Sequence, residues 1–304
     1  MGEKDFHSLR EASVSNQKIY GLMVAAAFFW AGAFIAGKVS SPYIPAFTLT
    51  FMRFLIATAI LYFIRKHQGE NYQLSRKDVP VFLFTGIVGM FGYHVFFFTA
   101  LRYTTAINSS IIAAINPILT TSLGIAFIKE KVNWKRGLGI LLSFTGVFLT
   151  ITVADPEVIR GLSVNRGDLL MLVAVLLWAI YSVYSKKVGH RFTPMILTYY
   201  SFFFCTVFLI PFVIWEKPWE FFLQIPKVSF VAVVYMSVFP SVIGYLVQQM
   251  AIKQIGPAKT SIFVNLVPVF SIILSVLLLH ETISPIKIFT TLIIISGVYI
   301  CQKG

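Results

Sequence analysis

Two ionisable side chains lie within long apolar stretches of the sequence. His94 occurs in F-G-Y-H-V-F-F-F, and Arg53 lies near the middle of the apolar run 45–64. Charged groups in such surroundings are costly, so they usually have functional roles or tight partners. For His94, the neighbouring Tyr93 and the ability to titrate favour a binding site over a neutral imidazole that is hydrogen-bonded in the interior. For Arg53 we expect a structural role, with its guanidinium bonded to backbone carbonyls.

Two tryptophans at unusual depth extend this set. Trp30 and Trp178 lie about ten residues into their apolar runs, near a bilayer centre at 1.5 Å rise per residue, whereas Trp usually lies at membrane interfaces. Lipid-facing or core positions are the alternative, but their equivalence in two sequence repeats favours two walls of one cavity. Tyr181 follows Trp178 by about one turn, and Asn265 offers either a cavity amide or an interhelical hydrogen bond. We predict a substrate site formed by Trp30, Tyr93, His94, Trp178, Tyr181 and Asn265.

Prolines interrupt two of the apolar runs at matching places. Asn116 and Pro117 occur in A-A-I-N-P-I-L-T-T, and Pro268 occupies the equivalent position later in the chain. A proline within a helix removes a backbone hydrogen bond and kinks the helix. The symmetric placement favours a hinge or gate formed by Asn116, Pro117 and Pro268, with a fixed kink as the alternative.

Carboxylates occur at the ends of the apolar runs. Glu130 and Glu281 close the fourth and ninth runs, where we expect each to anchor the next helix through its free N–H groups, with ion coupling as the alternative. No run has Asp or Glu in its interior, so a buried carboxylate of the kind used in proton or sodium relays is not expected. The sequence also has no Walker loop and no residue cluster at metal-ligand spacing. We therefore expect no catalytic residue, no metal and no cofactor.

The composition identifies the solvent around these residues. Of 304 residues, 57% are hydrophobic and 12% are charged, whereas about a quarter are charged in soluble domains. Each apolar run is close to the ~20 residues that a helix needs to cross a bilayer. The runs are approximately 19–37, 45–64, 79–101, 106–128, 134–154, 168–187, 193–215, 227–251, 258–279 and 285–302. The sequence therefore predicts an all-α integral membrane protein with ten transmembrane helices.

The net charge of +13 is distributed unevenly between the connections. With the N-terminus inside, 17 Lys and Arg residues fall on the inner side and 7 on the outer side. This bias is the positive-inside signal, and it places both termini in the cytoplasm. We predict a multi-pass protein of the plasma (inner) cell membrane and no nucleic-acid partner. Cys205 and Cys301 both fall in apolar runs, so no disulfide framework is expected.

The chain contains an internal repeat. Offsets of 148 to 151 residues align its two halves and pair Trp30 with Trp178, Pro117 with Pro268, Glu130 with Glu281, and Gly146 with Gly297. The predicted organisation is a cytoplasmic tail at 1–18, a five-helix repeat at 19–154 and a second five-helix repeat at 155–304. Because five is odd, the second repeat must cross the membrane in the opposite sense to the first. Inverted repeats of this kind are typical of secondary transporters.

Several blocks of the sequence resemble a known family. They are A-L-R-Y-T-T-A-I-N-S-S-I-I-A-A-I-N-P, F-I-K-E-K-V-N-W-K-R-G-L-G-I-L-L-S-F-T-G-V-F-L and L-L-L-H-E-T-I-S-P-I-K. With the duplication and the paired Pro and Glu, they resemble the two EamA repeats of the drug/metabolite transporter superfamily. Arg53 also fits the pattern of the first repeat. The resemblance implies a ten-helix transporter, often an exporter of amino acids or other small metabolites, and it does not fix the substrate.

These observations favour one functional class over two others. We predict a metabolite transporter that works by alternating access around a cavity between the repeats, with a small-molecule substrate and the lipid bilayer as its partners. A passive, channel-like facilitator is the first alternative. A membrane-embedded enzyme is the second, although the runs offer only scattered Ser and His94 for catalysis. The sequence leaves the oligomeric state open.

Overall fold

A computed structural model describes residues 15–70, 72–128, 133–152, 164–255, 260 and 263–303. Every regular element in these ranges is a helix. The helices are numbered by apolar run: α1 Asn16–Ser40, α2 Ala46–His67, α3 Val79–Tyr103, α4 in two segments Ala106–Ala113 and Asn116–Ile128, α5 Trp134–Ile151, α6 Arg166–Val188, α7 Pro194–Glu216, α8 in three segments Lys227–Met236, Ser237–Gly244 and Tyr245–Ile255, α9 Leu266–Leu279 and α10 Pro285–Gln302.

The helices confirm a multi-pass membrane protein. In the described ranges, α1 to α4 and α6 to α8 are long and apolar enough to cross a bilayer, while α9 and α10 are shorter apolar helices. α5 has 18 residues but does not belong to that long, apolar group. The number of ten membrane crossings therefore stays a prediction. α1 begins at Asn16, three residues before the expected start of the first run.

The two repeats share irregularities as well as helices. α3 contains a π-helical segment at Thr85–Gly92, and α8 contains one at Ser237–Gly244. α4 is broken at residues 114 and 115, and a turn at Asn265 precedes α9. The packing is also equivalent in the two repeats, because each first helix packs on helices of the other repeat: α1 on α8 and α9, and α6 on α3 and α4. The core of this region is therefore built from helices of both repeats.

Two further contacts join the repeats, of α2 with α7 and of α5 with α10. At the second contact the backbones approach closely, since a Cβ on Gly139 would lie 2.5 Å from the Gly297 carbonyl. Ser143 also donates a hydrogen bond to the Ile294 carbonyl at 3.2 Å. Small residues allow such close helix packing in membranes.

A glutamate of the second repeat caps a helix of the first. Glu281, after α9, accepts hydrogen bonds from the backbone N–H groups of Ala106 and Ile107 at 2.8 and 3.0 Å. A carboxylate at this place complements the free N–H groups and the dipole of the start of α4. The expectation that Glu281 anchors the next helix, α10, is therefore wrong in its partner. Glu130 lies outside the described residues.

Candidate substrate-binding site

A cavity of about 110 Å³ lies between helices of both repeats. Its wall takes residues from α1 to α4 of the first repeat and from α6, α8 and the α9 region of the second. The residues are Trp30, Ala33, Phe34, Arg53, Tyr93, His94, Phe97, Ser110, Ala113, Ala114, Asn116, Val175, Trp178, Tyr245, Gln248, Val264, Val267 and Pro268.

Aromatic rings in contact form one wall of the cavity. The Trp178 ring centroid lies 4.9 Å from that of Tyr93 and 5.6 Å from that of Tyr245. Tyr93 stacks in turn on Phe97, with centroids 5.7 Å apart and an interplanar angle of 18°. Offset and edge contacts of this kind stabilise aromatic clusters. The wall is therefore held by ring packing between α3, α6 and α8.

Trp30 is positioned by the π-helical segment of α8. Its indole Nε1 donates a hydrogen bond to the Pro240 carbonyl at 3.2 Å. Gly244 makes the approach possible, because a Cβ on that residue would lie 2.7 Å from the same indole nitrogen. The indole N–H is thereby satisfied at a depth where no interfacial water is available.

His94 is buried at 1% exposure and lines the cavity. Its Nδ1 lies 2.8 Å from the Met90 carbonyl one turn earlier in α3. A carbonyl only accepts hydrogen bonds, so Nδ1 carries the proton, and Nε2 is the acceptor in the neutral ring. The ring also packs edge-on against Phe54, with centroids 4.7 Å apart. His94 thus combines the two expected arrangements, an internal hydrogen bond and a place on the cavity wall.

Arg53 differs from the sequence expectation. Its Nε donates a hydrogen bond to the Ser241 hydroxyl at 2.8 Å, and that hydroxyl donates to the Met236 carbonyl at 2.8 Å. The guanidinium was expected to bond to backbone carbonyls, but α8 reaches it through a serine side chain because the π-helical segment turns Ser241 towards α2. Arg53 is 3% exposed and lines the cavity.

Two predicted site residues lie outside the cavity wall. Tyr181 is behind Trp178, with ring centroids 5.0 Å apart, and it packs into the space that Gly89 leaves without a Cβ. Asn265 lies in the turn before α9, where its neighbours Val264 and Val267 line the cavity instead. The spacing along the sequence placed both residues near the site but did not fix which way they face.

The predicted hinge residues lie next to the break in α4 and to the turn before α9. Asn116 and Pro268 line the cavity, and Pro117 is buried beside it. Because proline has no N–H, Pro117 and Pro268 cannot donate to the carbonyls four residues earlier. Those carbonyls belong to Ala113 and Val264, and both of these residues line the cavity. At these two equivalent points of the wall, a backbone carbonyl therefore lacks its usual helical hydrogen-bond donor.

The sequence profile of the EamA-like transporter family matches residues 17–152 and 165–301, one repeat each. The chain belongs to this family. It is therefore a membrane transporter by family, in agreement with the resemblance of its repeat blocks.

Relatives of the chain carry transporter names. It is 33% identical to the uncharacterized transporter YyaM of Bacillus subtilis over 89% of this chain and 88% of that protein. It is 30% identical to an uncharacterized transporter of Archaeoglobus fulgidus over 94% of this chain and 97% of that one. It is 24% identical to a probable terminal-alkyne amino-acid exporter of Streptantibioticus cattleyicolor, over 90% of each chain.

A solved crystal structure shows the same fold. It superposes with a TM-score of 0.64 at 22% identity and covers 93% of this chain and 97% of the other. At this identity the likeness concerns the fold alone.

Some residues at and near the cavity were not assigned from the sequence. The sequence offers Gln248 or Gln249 beside Tyr245 for the cavity, but its periodicity does not choose between them; the structure places Gln248 and Tyr245, one turn apart on α8, on the wall. Asp168, at the start of α6, is 1% exposed and accepts hydrogen bonds from Thr104 at 2.5 Å and Asn108 at 3.2 Å. Its place at the end of an apolar run concealed the burial of this carboxylate, which is not part of the cavity wall.

Proposed function

We propose that this protein exports small metabolites such as amino acids across the cell membrane by alternating access around the central cavity. The observation that carries the proposal is the joint wall, to which both repeats contribute, with a proline break on each side at Pro117 and Pro268. Inverted repeats that meet at such a site can expose it to either side of a membrane. The relative named as a probable amino-acid exporter supports this substrate class.

The size and chemistry of the cavity suit a small amphipathic substrate. Its volume of about 110 Å³ is below the ~300–1,000 Å³ that is typical of drug-sized pockets. Trp30, Tyr93 and Trp178 offer apolar and aromatic surface, and His94 offers a ring nitrogen. We propose these four residues as substrate-binding, with the amides of Asn116 and Gln248 as further polar contacts.

The wall also suggests how transport is driven. Among its described residues the ionisable groups are Arg53, His94 and two tyrosines, and Asp and Glu do not occur. Carboxylates are the usual carriers of coupled protons or sodium ions within membranes. We therefore propose that the substrate gradient drives transport, without a cofactor and without stoichiometric ion coupling.

Transport by purified protein in proteoliposomes tests the proposal. We expect saturable uptake of radiolabelled amino acids and counterflow, in which unlabelled substrate inside the vesicles accelerates entry of label. Trp178→Ala should reduce the rate about tenfold, because it removes the centre of the aromatic wall. Trp219→Ala is the matched control, since Trp219 lies 63% exposed in the connection after α7.

Other results would favour the alternatives. A flux that does not saturate and shows no counterflow would identify a channel-like facilitator. Chemical conversion of the substrate would identify an enzyme. Rates that are equal in the Trp178 and Trp219 variants would remove the aromatic wall from the pathway.

A further inference from the structure

We propose that Arg53 binds a carboxylate of the transported substrate, so that the substrate is a zwitterion or an organic anion. This inference rests on the proposed transport through the central cavity and adds the charge of the ligand and the residue that recognises it.

Arg53 has unused hydrogen-bonding capacity. Its side chain is 3% exposed on the cavity wall, and within the described residues its one hydrogen bond is the 2.8 Å contact from Nε to Ser241. A guanidinium has five N–H donors, so the two terminal nitrogens remain available. These nitrogens form the planar fork that pairs with both oxygens of a carboxylate.

The positive charge of Arg53 also lacks a compensating group. In the described parts of the chain no carboxylate lies within 4 Å of the guanidinium. Its neighbours are rings, with the guanidinium carbon 5.5 Å from the Phe54 centroid and 6.0 Å from that of Phe98. Such contacts stabilise a cation only weakly compared with a paired anion. A negatively charged ligand would supply the missing partner.

Packing alone does not account for an arginine at this position. In the second repeat the equivalent residue is Phe202, which is fully buried against Phe54 and Tyr245. The equivalent site in the fold is therefore filled by an apolar ring. The positive charge of Arg53 therefore occurs in the first repeat only. This asymmetry fits a ligand whose carboxylate faces the first repeat and whose other end faces the second.

Hydrogen-bond acceptors, the counterpart of the Arg53 donors, lie on the wall near Pro117 and Pro268. Pro117 and Pro268 leave the carbonyls of Ala113 and Val264, two residues on the wall, without their usual helical donors. Carbonyl oxygens accept hydrogen bonds and attract an ammonium group, and the face of Trp178 attracts a cation as well. The wall thus offers a donor fork for a carboxylate and acceptors for an amine.

The experiment measures thermal unfolding of the full-length protein in detergent with amino acids, their amides and the corresponding amines, each at millimolar concentration. A ligand that binds the folded state raises the unfolding temperature. We expect acids to raise it and their amides and amines not to do so. Arg53→Gln should abolish the shift, and Arg53→Lys, which keeps the charge without the fork, should weaken acid binding by about 10–100-fold. Arg102→Gln, at an exposed arginine at the end of α3, should behave as wild type.

Each outcome decides the assignment. Equal shifts of the unfolding temperature by acids and amides in the wild type, or no shift by any acid, would overturn it. Both results come from the wild-type protein, so they do not depend on whether a variant folds. An acid-specific shift retained in Arg53→Gln would also overturn it. Counterflow of amides or amines without an acid-specific shift would leave the proposed transport intact and reject the role of Arg53. An acid-specific shift lost in Arg53→Gln, in a protein that transports nothing, would support anion binding and reject transport.

Discussion

The position of Trp30 depends on a single glycine in a neighbouring helix. The indole N–H bonds to the Pro240 carbonyl at 3.2 Å, and the ring occupies the space beside Gly244. Most tryptophans of membrane proteins lie at the interfaces, where water satisfies the N–H. Here the π-helical segment of α8 provides both the acceptor and the space.

Gly244→Ala should therefore displace Trp30 and lower the transport rate. The new Cβ would lie 2.7 Å from Nε1, and such overpacking costs about 1–3 kcal/mol. Gly21→Ala is the control, since a Cβ on Gly21 in α1 meets nothing within 4 Å. Transport rates and tryptophan fluorescence of both variants in proteoliposomes provide the measurement. A Gly244 variant indistinguishable from the Gly21 variant would show that the position of Trp30 does not matter.

At the residue scale, the sequence predicts how far along its helix a residue lies better than it predicts which way its side chain faces. Trp30, Tyr93, His94 and Trp178 were grouped by depth and repeat position, and the structure places all four on one wall. Their role as substrate-binding residues remains a prediction. Tyr181 was grouped by the same reasoning but faces a glycine of α3, because the exact helical phase depends on packing partners that a sequence does not display.

The break in α4 and the turn that precedes α9 are the parts of the helices most suited to movement. Each lies a few residues before a proline, Pro117 or Pro268, and residues next to each contribute to the cavity wall. A helix that lacks an internal hydrogen bond bends more easily at that point.

Pro117→Ala and Pro268→Ala should keep the protein folded and slow transport, because alanine restores the missing helical donor and stiffens the break. Pro211→Ala is the control, since Pro211 lies inside α7 and is not part of the cavity wall. Thermal unfolding and counterflow rates should be measured together. Wild-type rates in both α4 and α9 variants would identify the prolines as fixed kinks.

The connections between helices also contain a polar cluster around the buried Asp78. The Tyr72 hydroxyl donates to Asp78 at 2.6 Å, and Arg191 of the second repeat pairs with the same carboxylate at 2.9 Å. The bond from Tyr72 is the main reason that the pKa of Asp78 lies below its ordinary 3.8. Burial, followed by the bond to Asp78, raises the pKa of Tyr72 to about 12. The cluster thus joins the α2–α3 connection to the α6–α7 connection.

Asp78→Asn should lower the unfolding free energy by about 1–3 kcal/mol at pH 7, the usual contribution of hydrogen bonds to a charged group. A depressed carboxyl pKa stabilises the folded state fully above the unfolded value of 3.8, and this contribution is lost as the pH falls through the folded value. The difference between wild type and variant should therefore be constant from pH 5 to about 9 and shrink below about pH 4.

Glu220→Gln is the control for Asp78→Asn, because Glu220 pairs with Lys217 at an exposed site where a salt bridge contributes about 0–1 kcal/mol. Thermal unfolding across the pH range measures both variants. Equal stabilities of the two variants at pH 7 would contradict a structural role for the cluster.

At the element scale the apolar runs predicted the helices well, since ~20 apolar residues suffice to indicate a span. The π-helical segments in α3 and α8 were not predicted. Their sequences contain several glycines or a proline, but these residues do not distinguish a π-helix from a kink or a plain helix. The short α9 also differs from the expected run 258–279, because it begins only after the turn at Asn265.

For the whole molecule, the cation distribution predicts the orientation in the membrane. Leu223, 96% exposed in the connection after α7, should lie outside the cell, and Leu74, 38% exposed in the α2–α3 connection, should lie inside. A membrane-impermeant maleimide should label Leu223→Cys in intact cells and Leu74→Cys only after permeabilisation. The native Cys205 and Cys301 are buried and give little background. The reverse pattern would show that the termini are external.

The central claim is that one cavity between the repeats is reached alternately from the two sides of the membrane. A cysteine at Ala113, on the wall beside the α4 break, tests it most directly, with Ile273→Cys as the control, because Ile273 is exposed in the middle of α9 and is not part of the cavity wall. We predict that an impermeant thiol reagent labels Ala113→Cys from outside in intact cells and from inside in inverted vesicles, and labels Ile273→Cys from neither side. Labelling of Ala113→Cys from one side only, or from neither side, would contradict alternating access through this cavity.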